Sequence, residues 1–241
     1  MGRILITTDN HGALKAVKQV LERCNFNPHE DLLINLGDIV DRGTESAELV
    51  QFYIDLTEKC LYKPLFIKGN HDDYCHKWLK SGEISMEWLM NGGTATIDSY
   101  IRTGYLDSEL HLDFFHEMFD FYIDTKNRGY VHAGFTSPYG LGNDNSETYY
   151  WDRSLWELSL LSNESKELPE ELRIFESHKE IFIGHTPTLN WNETEPMNNY
   201  NIWNLDTGAG FGGKITILDV ASKEFWQSDT VEELYTDNRQ Y

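Results

Sequence analysis

The sequence predicts an α/β protein with a parallel sheet flanked by helices, on three observations. Short apolar runs rich in branched residues recur at Ile4-Leu5-Ile6, Leu32-Leu33-Ile34-Asn35-Leu36 and Leu65-Phe66-Ile67. Stretches with helical spacing separate them, which is the βαβαβ alternation of a parallel sheet. Each run also closes in a compact polar cluster, and ligands of open α/β sheets sit at the carboxyl ends of the strands.

The elements follow in order. A strand over 3–8 leads to a helix with Leu14, Val17, Val20 and Leu21 at helical spacing. A strand over 32–37 leads to a helix with Leu49, Phe52, Tyr53 and Leu56 on one face, and a strand over 65–68 to a helical stretch around 72–80. Residues 81–118 predict less regular helices, broken at Gly92-Gly93 and packed beside the rim. Strand character returns over 119–135, in Phe121-Tyr122-Ile123 and Tyr130-Val131-His132, and again in Ile181-Phe182-Ile183. Pro138 and the nearby Gly, Asn and Ser residues predict a loop over 136–150. Pro169 marks a helix start in the charged stretch from Ser165 to Glu180. Three late runs, at Ile202–Asp206, Lys214–Asp219 and Phe225-Trp226, predict antiparallel strands turned by Gly208, Gly210, Gly212 and Gly213. The last ten residues are polar and are expected to fray. At 241 residues, positions 1–241 are expected to form one domain.

Bulk properties narrow the function. Net charge is −20, which disfavours nucleic acid or an anionic membrane as a partner, because both need clustered basic residues. No apolar run approaches the ~20 residues that span a bilayer. The first strand begins at Arg3 without the pattern of a secretory signal, and position 6 lacks the Ser or Thr of a myristoylation site, so the cytoplasm is the expected compartment. Cys24, Cys60 and Cys75 form no CxxC pair and are expected to be small packed hydrophobes. The sequence sets no oligomeric state.

The chemistry sits in five clusters: Asp9-Asn10-His11-Gly12, Gly37-Asp38-Ile39-Val40-Asp41-Arg42-Gly43, Gly69-Asn70-His71-Asp72, Val131-His132-Ala133-Gly134 and Gly184-His185-Thr186. Mixed oxygen and imidazole donors suit borderline divalent metals. Asp9 and His11, two apart beyond a strand, are expected to face one ion. Asp38 can bridge two ions with its two oxygens, and Asn70, His132 and His185 can complete the second. Any one of these histidines alone would be read as structural; five clusters at strand ends are not. His29, His76, His111, His116 and His178 have no motif context and are expected on surfaces or helix faces. Tyr149, Tyr150, Trp151 and Trp156 are expected to form a core cluster, with an aromatic wall beside the site as the alternative.

These motifs resemble the calcineurin-like metallophosphoesterases, in particular the phosphoprotein phosphatase branch with its bacterial and phage serine/threonine phosphatases. That branch carries DxHG, GDxVDRG and GNH[ED] followed by two later histidines, and the clusters here match in order from 9 to 186. The resemblance implies a four-layer α/β/β/α sandwich with the metal site at the strand carboxyl ends. It implies two divalent ions, manganese foremost with iron or zinc as alternatives, one held by Asp9, His11 and Asp38. The other would be held by Asp38, Asn70, His132 and His185. His71 would protonate the leaving oxygen with Asp41 orienting it, and a paired imidazole can supply that proton near pH 7. Arg42 would bind phosphate. Arg153 in Trp151-Asp152-Arg153 resembles the Trp-x-Arg segment of bacterial members, which supplies the second phosphate arginine; a guanidinium fork matches two phosphate oxygens.

Details choose among branches. Pro187 stands where the wider superfamily often has a second metal-binding His, and Asp72 stands where eukaryotic members have Glu. His11 stands where symmetrical dinucleoside tetraphosphatases typically have Gln. The expectation is a serine/threonine protein phosphatase, in which metal-bound hydroxide attacks phosphorus in line without a phosphoenzyme. The alternative is a hydrolase of dinucleoside polyphosphates or other small phosphate esters. A non-catalytic scaffold should have lost ligands, and no matched position is missing.

Overall fold

Alternation within short strands sets the layers of the computed structural model, which describes residues 2–162 and 170–236. In β1 (Ile4–Thr7), Leu5 joins the helix-covered core while Ile6 faces the opposite way, and Leu33 and Ile34 divide likewise in β2 (Leu32–Asn35). β1 pairs parallel with β2, and β2 with β3 (Leu65–Phe66). In the second sheet, β4 (Phe121–Ile123) pairs antiparallel with β5 (Arg128–Val131), which runs parallel to β6 (Glu180–Ile183). The inner faces meet in one layer, where Ile6, Ile34, Leu36 and Ile67 pack with Tyr130 and Phe182. The Tyr130 and Phe182 rings stack at 5.2 Å. Each fully buried side chain of this kind stabilises by about 1.5–3 kcal/mol.

Helices cover both outer faces. α1 (Leu14–Arg23) and α2 (Ser46–Lys59) supply Val17, Val20, Leu49 and Tyr53 to the first outer core, and α3 (Asn70–Ser81) supplies Cys75. Beyond α3, α4 (Met86–Trp88) runs through a wide turn, Leu89–Gly93, into α5 (Thr94–Thr103), and α6 (Glu109–His116) packs on α3. α7 (Ser146–Trp151) and α8 (Ser154–Ser162) lie on the second sheet, with Tyr149, Tyr150 and Trp156 in its outer core. The architecture is the expected four-layer α/β/β/α sandwich. No helix among the described residues is long and apolar enough to cross a membrane.

Several expectations need correction. The late runs do not form one antiparallel set. Ile202–Asn204 (β8) joins the second sheet, parallel to β6 and antiparallel to Met197–Asn199 (β7). Thr216–Asp219 (β9) returns to the first sheet, antiparallel to β1 and to Phe225–Gln227 (β10). The glycine-rich stretch between them therefore carries the chain from one sheet to the other instead of turning a hairpin. The expected loop over 136–150 ends in α7, because the Asn145 side chain accepts the Thr148 N–H and caps it. A six-residue helix is too short to show periodicity. The carboxyl end is docked up to residue 236: Val231–Leu234 is helical (α9), and the Tyr235 hydroxyl accepts the Lys15 N–H and donates to Glu45. Pro169 and residues 237–241 lie outside the described residues. Cys24 and Cys75 are buried and unbridged, as expected, and Cys60 is half-buried. His111 lies on a face of α6 as expected, buried and bonded to Tyr100 and Gln51, whereas His178 is on neither a surface nor a helix and is buried against Asn127 and Leu141.

The rim is braced by polar groups inside and outside the five clusters, through partners that sequence patterning did not single out. The Tyr53 hydroxyl and the Asn35 amide both donate to Asn10 Oδ1, tying the ends of β1 and β2 to α2. Asp72, in the first turn of α3, accepts the N–H groups of Asp38 (2.7 Å), Ile39 (2.9 Å) and Gly69 (3.0 Å). Burial and nearby Asp38 push this carboxyl up to about 7. Asp72→Ala leaves three buried donors without a protein acceptor, each costing about 1–3 kcal/mol. The variant should therefore lose at least about 2 kcal/mol of stability and its metal affinity together. Denaturant unfolding and metal titration check this; wild-type values for both would show that the carboxylate does not hold the loop.

Candidate metal centre

β1 stops at Thr7, so strand alternation does not aim Asp9 and His11 at the site. Both instead take left-handed backbone conformations, at φ 50° and 43°, in a turn whose N–H groups bond the next loop: Asp9 to Gly37, His11 to Asp38 and Gly12 to Ile39. Asp38, Asp41, Arg42 and His185 are left-handed as well. Such residues cost roughly 1–3 kcal/mol each and persist where their surroundings over-determine them.

Asp38 lies at the centre. Its Oδ1 accepts the His71 N–H at 3.0 Å. Its Oδ2 is 3.4 Å from His132 Nε2, 3.8 Å from His11 Nε2 and 3.9 Å from His71 Nε2. His11 Nδ1 lies 2.9 Å from the Val40 carbonyl and His132 Nδ1 2.9 Å from that of Leu36. Only an N–H satisfies a carbonyl, so each ring turns its Nε2 toward the site. Asp9 Oδ2 accepts from the Thr8 hydroxyl and the His185 N–H, leaving Oδ1 3.9 Å from His11 Nε2. Asn70 Oδ1 and His185 Nε2 are buried without a hydrogen-bond partner.

Those orphaned atoms and inward ring nitrogens are donors of the kind that could hold a divalent cation. Among the described residues two groups could hold one: His11 with Asp38 and His71, and Asp38 with His132 and His185. In the first, Asp9 Oδ1 is left freer by its hydrogen bonds than either ring nitrogen of His71. His71 Nδ1 is already 2.6 Å from Asp41 Oδ2, and its Nε2 is 3.3 Å from the Arg42 guanidinium, an unfavourable neighbour for a cation.

Electrostatics agree with a cationic occupant. Asp9, Asp38, Asp41, Asp72 and Asp206 are all at most 3% exposed. Burial works against the charge on Asp38, yet His132 and His71 outweigh it and hold its carboxyl well below the usual range. Burial lifts the Asp9 carboxyl against the pull of His132. It also opposes a charge on His132, but Asp38 prevails and raises that imidazole to about 9. A divalent ion would displace this proton. Burial, with His71 and Arg42 beside it, keeps His11 well below the ordinary imidazole range and neutral. His71 stands above that range: burial opposes its charge, and Asp38 and the Asp41 bond overcome it.

The cluster opens into a cavity of about 240 Å³ whose lining includes Arg42, Trp151, Arg153, Asn190 and Phe211. The Arg42 guanidinium sits 4.3 Å from the Phe211 ring centre. Trp151 leaves the aromatic core that Tyr149, Tyr150 and Trp156 join, and stands 6.1 Å from the His185 ring. A larger hollow of about 860 Å³ beside Tyr139 and Leu161 shares none of these lining residues. Every residue singled out from the clusters, together with Arg153, borders this cavity or bonds directly to one that does. Asp206 was missed. It follows the run Ile202–Leu205, lines the cavity, and accepts the Gly208 N–H, repeating the pattern of an apolar run closed by a polar cluster.

The family model for calcineurin-like phosphoesterases matches residues 2–211. Serine/threonine-protein phosphatase 1 of Salmonella typhimurium is 25% identical over 225 residues, covering 90% of this chain and 91% of that protein. A symmetrical bis(5'-nucleosyl)-tetraphosphatase of Pseudomonas putida is 24% identical over 286 residues, covering 93% and 92%. Among solved structures, a protein serine/threonine phosphatase from Saccharomyces cerevisiae superposes with a TM-score of 0.62 at 13% identity, over 95% of this chain and 80% of that one. With all five clusters inside the matched span and the sandwich in place, the chain belongs to the calcineurin-like phosphoesterase family.

Proposed function

We propose that the chain is a dinuclear metal-dependent phosphomonoesterase acting on phosphoserine or phosphothreonine in proteins. The carrying observation is the shared position of Asp38, which belongs to both candidate metal groups while Asn70 Oδ1 and His185 Nε2 lack protein partners. Asp9, His11 and Asp38 would hold one ion, and Asp38, Asn70, His132 and His185 the other. Manganese is the expected ion, with iron or zinc as alternatives. When bound, the ions neutralise charge on the phosphoryl oxygens and supply a nucleophilic water near neutral pH. Both sheets contribute to this site, which supports one catalytic domain over the chain. The unbridged cysteines support the cytoplasm as its compartment.

Arg42 and Arg153 are the cationic side chains lining the cavity among the described residues, and they would hold the phosphate oxygens. His71 would give its Nε2 proton to the leaving oxygen as the P–O bond breaks, with Asp41 fixing the ring through Nδ1. In this reading the phosphoryl group passes directly to water, without a phosphoenzyme. Two arginines suit one phosphate group, and a net charge of −20 repels a polyanionic dinucleotide. The tetraphosphatase relatives favour the second reading, hydrolysis of dinucleoside polyphosphates.

Asp38→Asn should lose activity and metal content together, since its carboxylate is the shared negative group between two cations. Elemental analysis checks this, and two ions at full occupancy in the variant would remove the bridging role. His71→Asn should lower kcat on an alkyl phosphate by about a hundredfold, and far less on an activated aryl phosphate that needs little protonation. Equal losses would assign His71 a structural role. For substrate class, kcat/KM should be higher for phosphoserine or phosphothreonine peptides than for diadenosine tetraphosphate at matched metal and salt. A clear preference for the dinucleotide would move the chain to the second reading.

A further inference from the structure

Asp41 and Arg42 are consecutive non-glycine residues in the left-handed region, at φ 74° and 67°. Backbone of this kind needs outside support, and one segment supplies much of it. The Thr96 hydroxyl accepts the Asp41 N–H at 2.9 Å and donates to Asp41 Oδ1 at 2.6 Å, so it grips main chain and side chain of one residue. The Trp88 indole N–H donates to Asp41 Oδ2 at 2.8 Å, the oxygen that also meets His71 Nδ1. Between them the Gly92 carbonyl accepts the Arg42 N–H at 3.2 Å. Trp88 and Thr96 are fully buried.

The glycines in this segment have steric reasons. Gly92 is left-handed at φ 107°, and a Cβ there would lie 2.6 Å from Arg42 Cγ and 2.7 Å from its backbone nitrogen. A Cβ on Gly93 would lie 2.5 Å from the Trp88 ring. A wide helical turn kinked between Trp88 and Thr96 thus sets both side chains on the same two-residue turn.

We propose that the segment Met86–Thr96 is a clamp for the Asp41–Arg42 turn, with Trp88 and Thr96 as positioning residues for leaving-group protonation and Gly92 setting the place of Arg42. The inference rests on the reading of His71 as the proton donor. Three donors fix the Asp41 carboxylate in plane and rotation, and that orientation points His71 Nε2 toward the leaving oxygen. Without the indole or the hydroxyl the carboxylate gains freedom and the imidazole loses its aim, although phosphate binding is untouched.

Trp88→Phe keeps a buried ring and removes the indole donor; Thr96→Val keeps the branched shape and removes a hydroxyl that donates to Asp41 Oδ1 and accepts its N–H, for which Ser46 Oγ at 3.1 Å remains as an acceptor. In enzyme reconstituted with Mn²⁺, each should lower kcat on a phosphoserine peptide about tenfold, with KM within about twofold. Turnover of 4-nitrophenyl phosphate should fall less than about threefold. Gly92→Ala should weaken competitive inhibition by inorganic phosphate about tenfold, through displacement of Arg42. In metal-free protein the Trp88 indole N–H resonance should be protected from exchange and should shift in Asp41→Asn, a readout independent of turnover. His71→Asn runs alongside. A split between alkyl and aryl substrates there, with none in Trp88→Phe or Thr96→Val, overturns the clamp alone. Absence of a split in His71→Asn overturns the proton-donor reading beneath it. An unprotected indole resonance also overturns the clamp, even if the variants fail to fold.

Discussion

Burying five carboxylates around one cavity is the constraint to which the rest of this structure answers. Removing an unpaired charge from water costs several kcal/mol, so each acid must be satisfied or neutralised. Asp72 is met by three backbone N–H groups, and Asp41 by an indole, a hydroxyl and an imidazole. Asp9 has a hydroxyl and one N–H on a single oxygen. Asp38 has one N–H and otherwise faces ring nitrogens. The unsatisfied negative charge is thereby concentrated at Asp38 and the free oxygen of Asp9, where a cation has most to gain.

Backbone geometry answers the same demand. Asp9, His11, Asp38, Asp41, Arg42 and His185 all turn left-handed just past their strands. A residue continuing the strand would point its neighbours alternately to the two faces of the sheet. The reversal instead brings adjacent side chains to one opening. The strain is borne by the packed layer below, where Ile6, Ile34 and Phe182 are fully buried and cannot shift without opening a cavity.

What was legible in the sequence followed from periodicity and from clustering. β1, β2 and β3 and the helices after them announce themselves by apolar spacing, and the clusters that close the strands border the cavity. Strands of three residues such as β7 and β8 carry no period, so their sheet membership is set by long-range pairing that no local window contains. Asp72 stood in a cluster already singled out but without its bracing role, and Trp88 and Thr96 stayed hidden altogether, for a different reason. They act through other residues, 34, 47 and 55 positions away, and a buried indole or hydroxyl looks in sequence like ordinary core. Asp206 was within reach, since it closes an apolar run as the other five clusters do.

The return of the chain from the second sheet to the first has a temporal meaning. β1 is the middle strand of its sheet, with β2 following closely in the chain and β9 arriving only at Thr216–Asp219. The His185 N–H that secures Asp9 comes from 176 positions later. During vectorial synthesis the early acids emerge into a sheet that still lacks one neighbour, opposite loops that do not yet exist. Loop-closure entropy delays such distant pairings, so the donor groups come together only after the His185 loop has joined the fold. The acids that follow the first sheet and the histidines that follow the second thereby face one another only in the assembled fold.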